Sequence, residues 1–143
     1  MKPCVVDASV AIKWYIPEVH HENAVRLLKL QRAGDAMFHA PDLFLAEAGN
    51  ILCKKVRIRE ISTNEAHEIA RALIRVPVVL HPAGKLLSAA LDLAFATGAM
   101  VYDSLNMALA AALDCEMITA DERLIRSAER SELHTLMRWV GTY

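Results

Sequence analysis

The chain has 143 residues, which is room for one domain with one sizeable core. Apolar residues make up 55% and charged residues 23%, which excludes a disordered chain, because there is ample apolar surface to offset the entropy of ordering. A net charge of −1 excludes a simple basic nucleic-acid coat but not a nuclease, whose acidic site would hide in the same count.

The predicted elements alternate along the chain. Val5-Val6 begins a short strand, and Ala8 to Tyr15 reads as a short helix that Pro17 breaks. Glu18 to Arg32 is a longer amphipathic helix ended by Gly34. Met37 to Ala40 is a second strand, followed by a helix from Pro41 to about Ile58. Ser62-Thr63-Asn64-Glu65 is a capping box that opens a helix running to Arg75. Val78 to Leu80 is a third strand, and Pro82 to Ala96 a helix stopped by Gly98. Ala99 to Tyr102 reads as a fourth strand and Asp103 to Leu113 as an Ala-rich helix. Glu116 to Thr119 is a fifth strand, Asp121 to Glu129 a helix, and Leu136 to Trp139 a final edge strand. Short apolar strands alternating with helices predict a single α/β domain over residues 1–143: three layers around a mostly parallel central sheet.

The longest unbroken apolar run, Met107 to Leu113, is far too short to cross a bilayer, so no membrane association is expected. The opening residues lack the apolar core of a signal peptide. Cys4, Cys53 and Cys115 are an odd, unpatterned set in apolar surroundings, which predicts reduced core thiols and a cytoplasmic location.

Asp7, Asp103 and Asp121 each fall at the end of a predicted strand and the start of a helix. In open α/β sheets such ends face a common crevice. Each aspartate alone is explained as a helix cap, and Thr119-Ala120-Asp121-Glu122 has the form of a capping box with Thr119 as its cap. Glu47 is sharper, because it lies mid-helix on a face shared with Leu43 and Ile51. A glutamate there is a rim residue, half of an ion pair, or functional. Taken together, four converging carboxylates repel unless a cation sits among them, and all-oxygen donors select Mg²⁺ or Mn²⁺. Such a set suits metal-assisted attack of water on a phosphodiester.

Four blocks carry a family resemblance: Val5-Val6-Asp7-Ala8-Ser9, Ala46-Glu47-Ala48-Gly49-Asn50, Tyr102-Asp103-Ser104-Leu105 and Ile118-Thr119-Ala120-Asp121-Glu122-Arg123-Leu124. In order and spacing they resemble the acidic motifs of PIN domains, and the whole chain is similar to the VapC-type toxin ribonucleases. The resemblance implies a Mg²⁺- or Mn²⁺-dependent endoribonuclease with Asp7, Glu47, Asp103 and Asp121 as catalytic metal ligands. It also implies an RNA substrate, a homodimer, and a small antitoxin whose tail covers the site. The helices holding Leu27, Leu28 and Leu30, and Leu43, Phe44 and Leu45, are the expected donors of interface surface. The alternative readings are a receiver-like signalling module, which would need an acidic doublet and a late lysine, and a protein-binding scaffold.

Ser9 and Thr119 are candidate hydroxyl donors to the carboxylates, or else plain helix caps. Lys54, Lys55 and Arg57 at the end of the Glu47 helix, and Arg123 beside Asp121, are candidate RNA contacts or else solvated helix ends. Asn106, one turn from Asp103, either faces the site or is exposed, whereas Asp92 and His20-His21 read as surface.

Overall fold

Five apolar runs form strands β1 (Lys2–Val6), β2 (Ala36–Pro41), β3 (Val78–His81), β4 (Glu116–Thr119) and β5 (Met137–Trp139). In the computed structural model, which describes residues 1–143, they make one all-parallel sheet in the order β3-β2-β1-β4-β5. Parallel neighbours need crossovers, and the helices supply them. These are α1 (Ala8–Lys13), α2 (His21–Arg32), α3 (Phe44–Arg57), α4 (Thr63–Arg75), α5 (Leu87–Thr97), α6 (Val101–Leu113) and α7 (Glu122–Ala128).

The period of the strand decides the layers. On β1, Cys4 and Val6 pack into one core with Val10, Ile12, Leu27, Phe44 and Leu73, which come from α1 to α4. Val5 points the other way, into a second core with Met117, Leu105, Met107 and Leu124, from β4, α6 and α7. The result is helices on both faces of a sheet buried at its centre. Local chemistry sets several boundaries. Ser62 caps α4 in a complete capping box with Glu65, as the sequence predicts. Gly34 takes the left-handed conformation after α2, at φ 82°.

Several boundaries differ from the sequence reading. Ala99 to Tyr102 is not a strand. Gly98 ends α5 at φ 75°, Met100 is extended at the head of α6, and Val101 is already helical. Helix α6 is buried at every residue from Ser104 to Ala110, so its apolar run has no 3.6-residue rhythm to tell it from strand. Pro41 closes β2 rather than opening α3, α1 ends at Lys13, and α2 begins at His21 after His20 at φ 65°. Cys4 and Cys115 are buried as expected, but Cys53 is exposed on α3. His20 and His21 are not free surface groups: His20 meets the Trp139 ring edge-on, and His21 Nδ1 bonds the Lys13 carbonyl.

Leu27, Leu28 and Phe44 are core, and only Leu30 and Leu45 of the expected interface donors are exposed. The exposed apolar stripe lies instead on α5, where Leu87, Leu91 and Phe95 follow one another at helical spacing.

Candidate active site

A parallel sheet places the first turns of its crossover helices along one edge. Asp7 is the N-cap residue of α1, Asp121 caps α7, and Glu47 and Asp103 lie in the first turns of α3 and α6. All four acids therefore stand at helix N-termini, where the backbone dipoles favour negative charge.

Asp7 is the centre of the group. It follows Val6 at the end of β1, its backbone N–H donates to Ile118 O at 3.1 Å, and its residue is 6% exposed. Ser9 Oγ and Thr119 Oγ1 each donate to Asp7 Oδ2 at 2.9 Å. Both hydroxyls also accept from the turn after β4: Asp121 N–H donates to Thr119 Oγ1 at 3.1 Å, and Ala120 N–H to Ser9 Oγ at 3.3 Å. Two hydroxyl relays thus tie the Asp7 carboxylate to the loop that carries Asp121. Burial raises Asp7 above the ordinary carboxylate range, against the pull of the two hydroxyls, and the charge of Asp121 adds to the rise.

Burial, then the charges of Asp7 and Asp103, push the half-buried Glu47 up to about 7. Burial, then Asp7 and Asp121, push Asp103 up to about 6. Like-charge repulsion links all four acids across four elements distant in sequence. In the side-chain positions of this structure no three acidic, imidazole or thiol groups are gathered closely enough to hold one ion. The donor set fits a hard divalent cation in kind, and loading it requires these side chains to draw together.

Thr119 is not the cap of α7. Asp121 takes that place, its Oδ1 accepting from Arg123 N–H at 2.9 Å and Leu124 N–H at 3.4 Å. The capping-box reading fails because Thr119 is the last residue of β4 and its hydroxyl is turned inward to Asp7. Asp103 likewise sits inside a helical turn and not at a strand end. Asn106 is buried at 3% exposure and donates to Tyr102 O at 3.4 Å, and Asp92 is exposed.

Of the basic candidates, Lys55 is engaged: Nζ meets Glu18 at 2.6 Å and Glu60 at 3.0 Å. Lys54 and Arg57 are exposed, seven and ten residues beyond Glu47, roughly 10 and 15 Å along the helix axis. Arg123 is exposed in the first turn of α7, two residues after the Asp121 cap. The backbone donors of Ala120 and Asp121 carry no sequence signal of their own. Only the two hydroxyls they feed were legible in advance.

The PIN-domain family model matches residues 4–130, nearly the whole chain. The chain belongs to the PIN-domain family. Comparison with the curated proteins finds no match. Two solved structures share the fold. PAE2754 from Pyrobaculum aerophilum matches with a TM-score of 0.67 at 19% identity, over 99% of this chain and 91% of its own. VapC20 of Mycobacterium tuberculosis, a toxin that cleaves the sarcin-ricin loop, matches with a TM-score of 0.64 at 15% identity, over 90% of this chain and 97% of its own. In this PIN domain the four acids fall on the four blocks that carry the sequence resemblance.

Proposed function

We propose that this PIN domain is a Mg²⁺- or Mn²⁺-dependent endoribonuclease and the toxin of a toxin–antitoxin pair. The observation that carries the reading is the electrostatic crowding of Asp7, Glu47, Asp103 and Asp121, with Asp7 buried and held by two hydroxyls. Burial lifts Asp7, Glu47 and Asp103 first, and the repulsion of neighbouring acids adds to each rise, which isolated caps would not feel. The fold shared with VapC20 supports the toxin class. A divalent cation held by the four carboxylates would supply Lewis-acid activation of water and stabilise charge on the scissile phosphate.

The chain's own residues do the rest. Ser9 and Thr119 fix the Asp7 carboxylate in one orientation and keep it anchored despite burial. Glu47 and Asp103 carry protons until the pH approaches about 7 and about 6, so the full acidic set forms only near neutrality. Arg123, Lys54 and Arg57 are exposed and free to contact RNA phosphates in this reading, whereas Lys55 is engaged with Glu18 and Glu60. The exposed Leu87, Leu91 and Phe95 stripe on α5 supports a homodimer or an antitoxin contact.

The test is RNA cleavage with Mg²⁺ and with chelator, by the wild type, Asp7→Asn and Asp103→Asn, with Asp92→Asn and Asp114→Asn as controls. Cleavage is expected only with metal, leaving 3′-hydroxyl and 5′-phosphate ends, and is lost in the first two variants while both stay folded. Wild-type rates in either site variant, or 2′,3′-cyclic phosphate products in metal-free buffer, overturn the reading. Co-expression with a cognate antitoxin is expected to yield an inactive complex.

A further inference from the structure

At the opposite edge of the sheet, α2, α4 and the end of α1 enclose a cleft of about 500 Å³ that the proposed nuclease site does not use. Its place follows from the topology. Arg32 closes α2 just before β2 begins, Arg75 closes α4 just before β3, and Tyr15 follows α1, whose other end carries Asp7. The length of β1 alone separates this edge from the carboxylates by roughly 15 Å.

The cleft is rich in hydrogen-bonding heads and contains no acid. Tyr15, Gln31, Arg32 and Arg75 line it over an apolar floor that includes Leu28 and Val76, both buried. Neither arginine enters an ion pair, and none of the four side chains makes a hydrogen bond within the chain. Arginines at helix C-termini are ordinarily explained by the dipole or by capping the last carbonyls. Here neither guanidinium donates to a carbonyl. Two unpaired cations facing one concavity repel each other and focus a positive potential into it.

We propose that this cleft binds a small phosphate monoester, its phosphate between Arg32 and Arg75 and its organic body on the Leu28 and Val76 floor. A phosphate monoester carries close to two negative charges and three terminal oxygens. That matches two guanidinium forks and leaves an acceptor for the Tyr15 hydroxyl or the Gln31 amide. A carboxylate, with one charge and two oxygens, leaves one arginine unmatched. The volume lies within the range of small-molecule sites, and the apolar floor selects an organic ester over the bare ion.

The experiment titrates the whole chain, in chelator so that phosphate cannot report on a metal in the carboxylate site. Binding is followed by calorimetry and by backbone amide shifts. The probes are inorganic phosphate, glycerol 3-phosphate, AMP and a short RNA without a terminal phosphate. The expected result is saturable AMP binding, with shifts confined to the ends of α2 and α4 and to Tyr15. AMP should bind more tightly than inorganic phosphate. Arg32→Gln and Arg75→Gln should each weaken it tenfold or more, while Lys29→Gln, an exposed neighbour on α2, leaves it unchanged. All three positions are exposed, and unchanged urea midpoints show that the variants are folded. No saturation by millimolar AMP, equal binding by the arginine variants, or stronger binding of the RNA than of AMP overturns the proposal. None of these outcomes bears on RNA cleavage at the carboxylates.

Discussion

Replacing Glu47 by Gln should stabilise the metal-free protein at pH 8 and do almost nothing at pH 4. The glutamate is lifted from 4.5 to about 7 by burial and by Asp7 and Asp103. Between those values the native protein binds more protons than the unfolded chain, so stability falls as pH rises through the window. Above about pH 7 the ionised Glu47 is a full liability; below about pH 4.5 both states are protonated and the liability is gone. At 1.36 kcal/mol per pH unit, the lift would be worth roughly 3 kcal/mol for a wholly shielded group. Glu47 is only half-buried, and screening by water reduces that to about 1–2 kcal/mol. Gln keeps the shape and removes the charge. For a chain of this size the gain corresponds to a Tm rise of roughly 3–6 °C. Urea unfolding in chelator at pH 8 and pH 4, wild type against Glu47→Gln, reads it. Equal or lower stability of the variant at pH 8, or the same difference at both pH values, would refute the claim that burial and the neighbouring acids penalise ionised Glu47.

Two further outcomes follow from the same geometry. Mg²⁺ competes with protons on Asp103 and Glu47, so its affinity by calorimetry should rise steeply between pH 5.5 and pH 8, centred on about 6 to about 7; a flat profile would remove these two groups from the site. Thr119→Val keeps the shape but leaves Asp7 Oδ2 with Ser9 alone and Asp121 N–H without its acceptor. It should cost about 1–3 kcal/mol in urea unfolding and slow cleavage, and an unchanged midpoint would show the relay to be idle.

The sheet and its layers were legible because Val5-Val6, Val78 to Leu80 and Glu116 to Thr119 are short apolar runs between clear helix signals. The Ser62 capping box and Gly34 are local chemistry, and the structure keeps both. The stretch from Ala99 to Tyr102 was not legible. A helix buried on all sides and a buried strand share the same apolar composition, and only tertiary packing on β1, β2 and β4 separates them. The four acids were visible as residues, but their common setting at helix N-termini was only partly so. Reading Asp103 at a strand end gave the correct edge of the sheet through the wrong element. The role of Thr119 turned on where its hydroxyl points, and a capping-box pattern cannot see across 112 residues to Asp7. Burial of Leu27, Leu28 and Phe44, and exposure of Phe95, likewise depend on which helices pack over which face.

In the proposed function, acids from four helix N-termini make one cation site. Anomalous scattering from crystals grown with Mn²⁺ tests it most directly. The expected result is a peak bonded to Asp7 and to at least one of Glu47, Asp103 and Asp121, with those side chains drawn together around it, and no such peak in Asp7→Asn crystals. A wild-type map with no peak at this edge of the sheet, or with Mn²⁺ held elsewhere and Asp7 unligated, would contradict it.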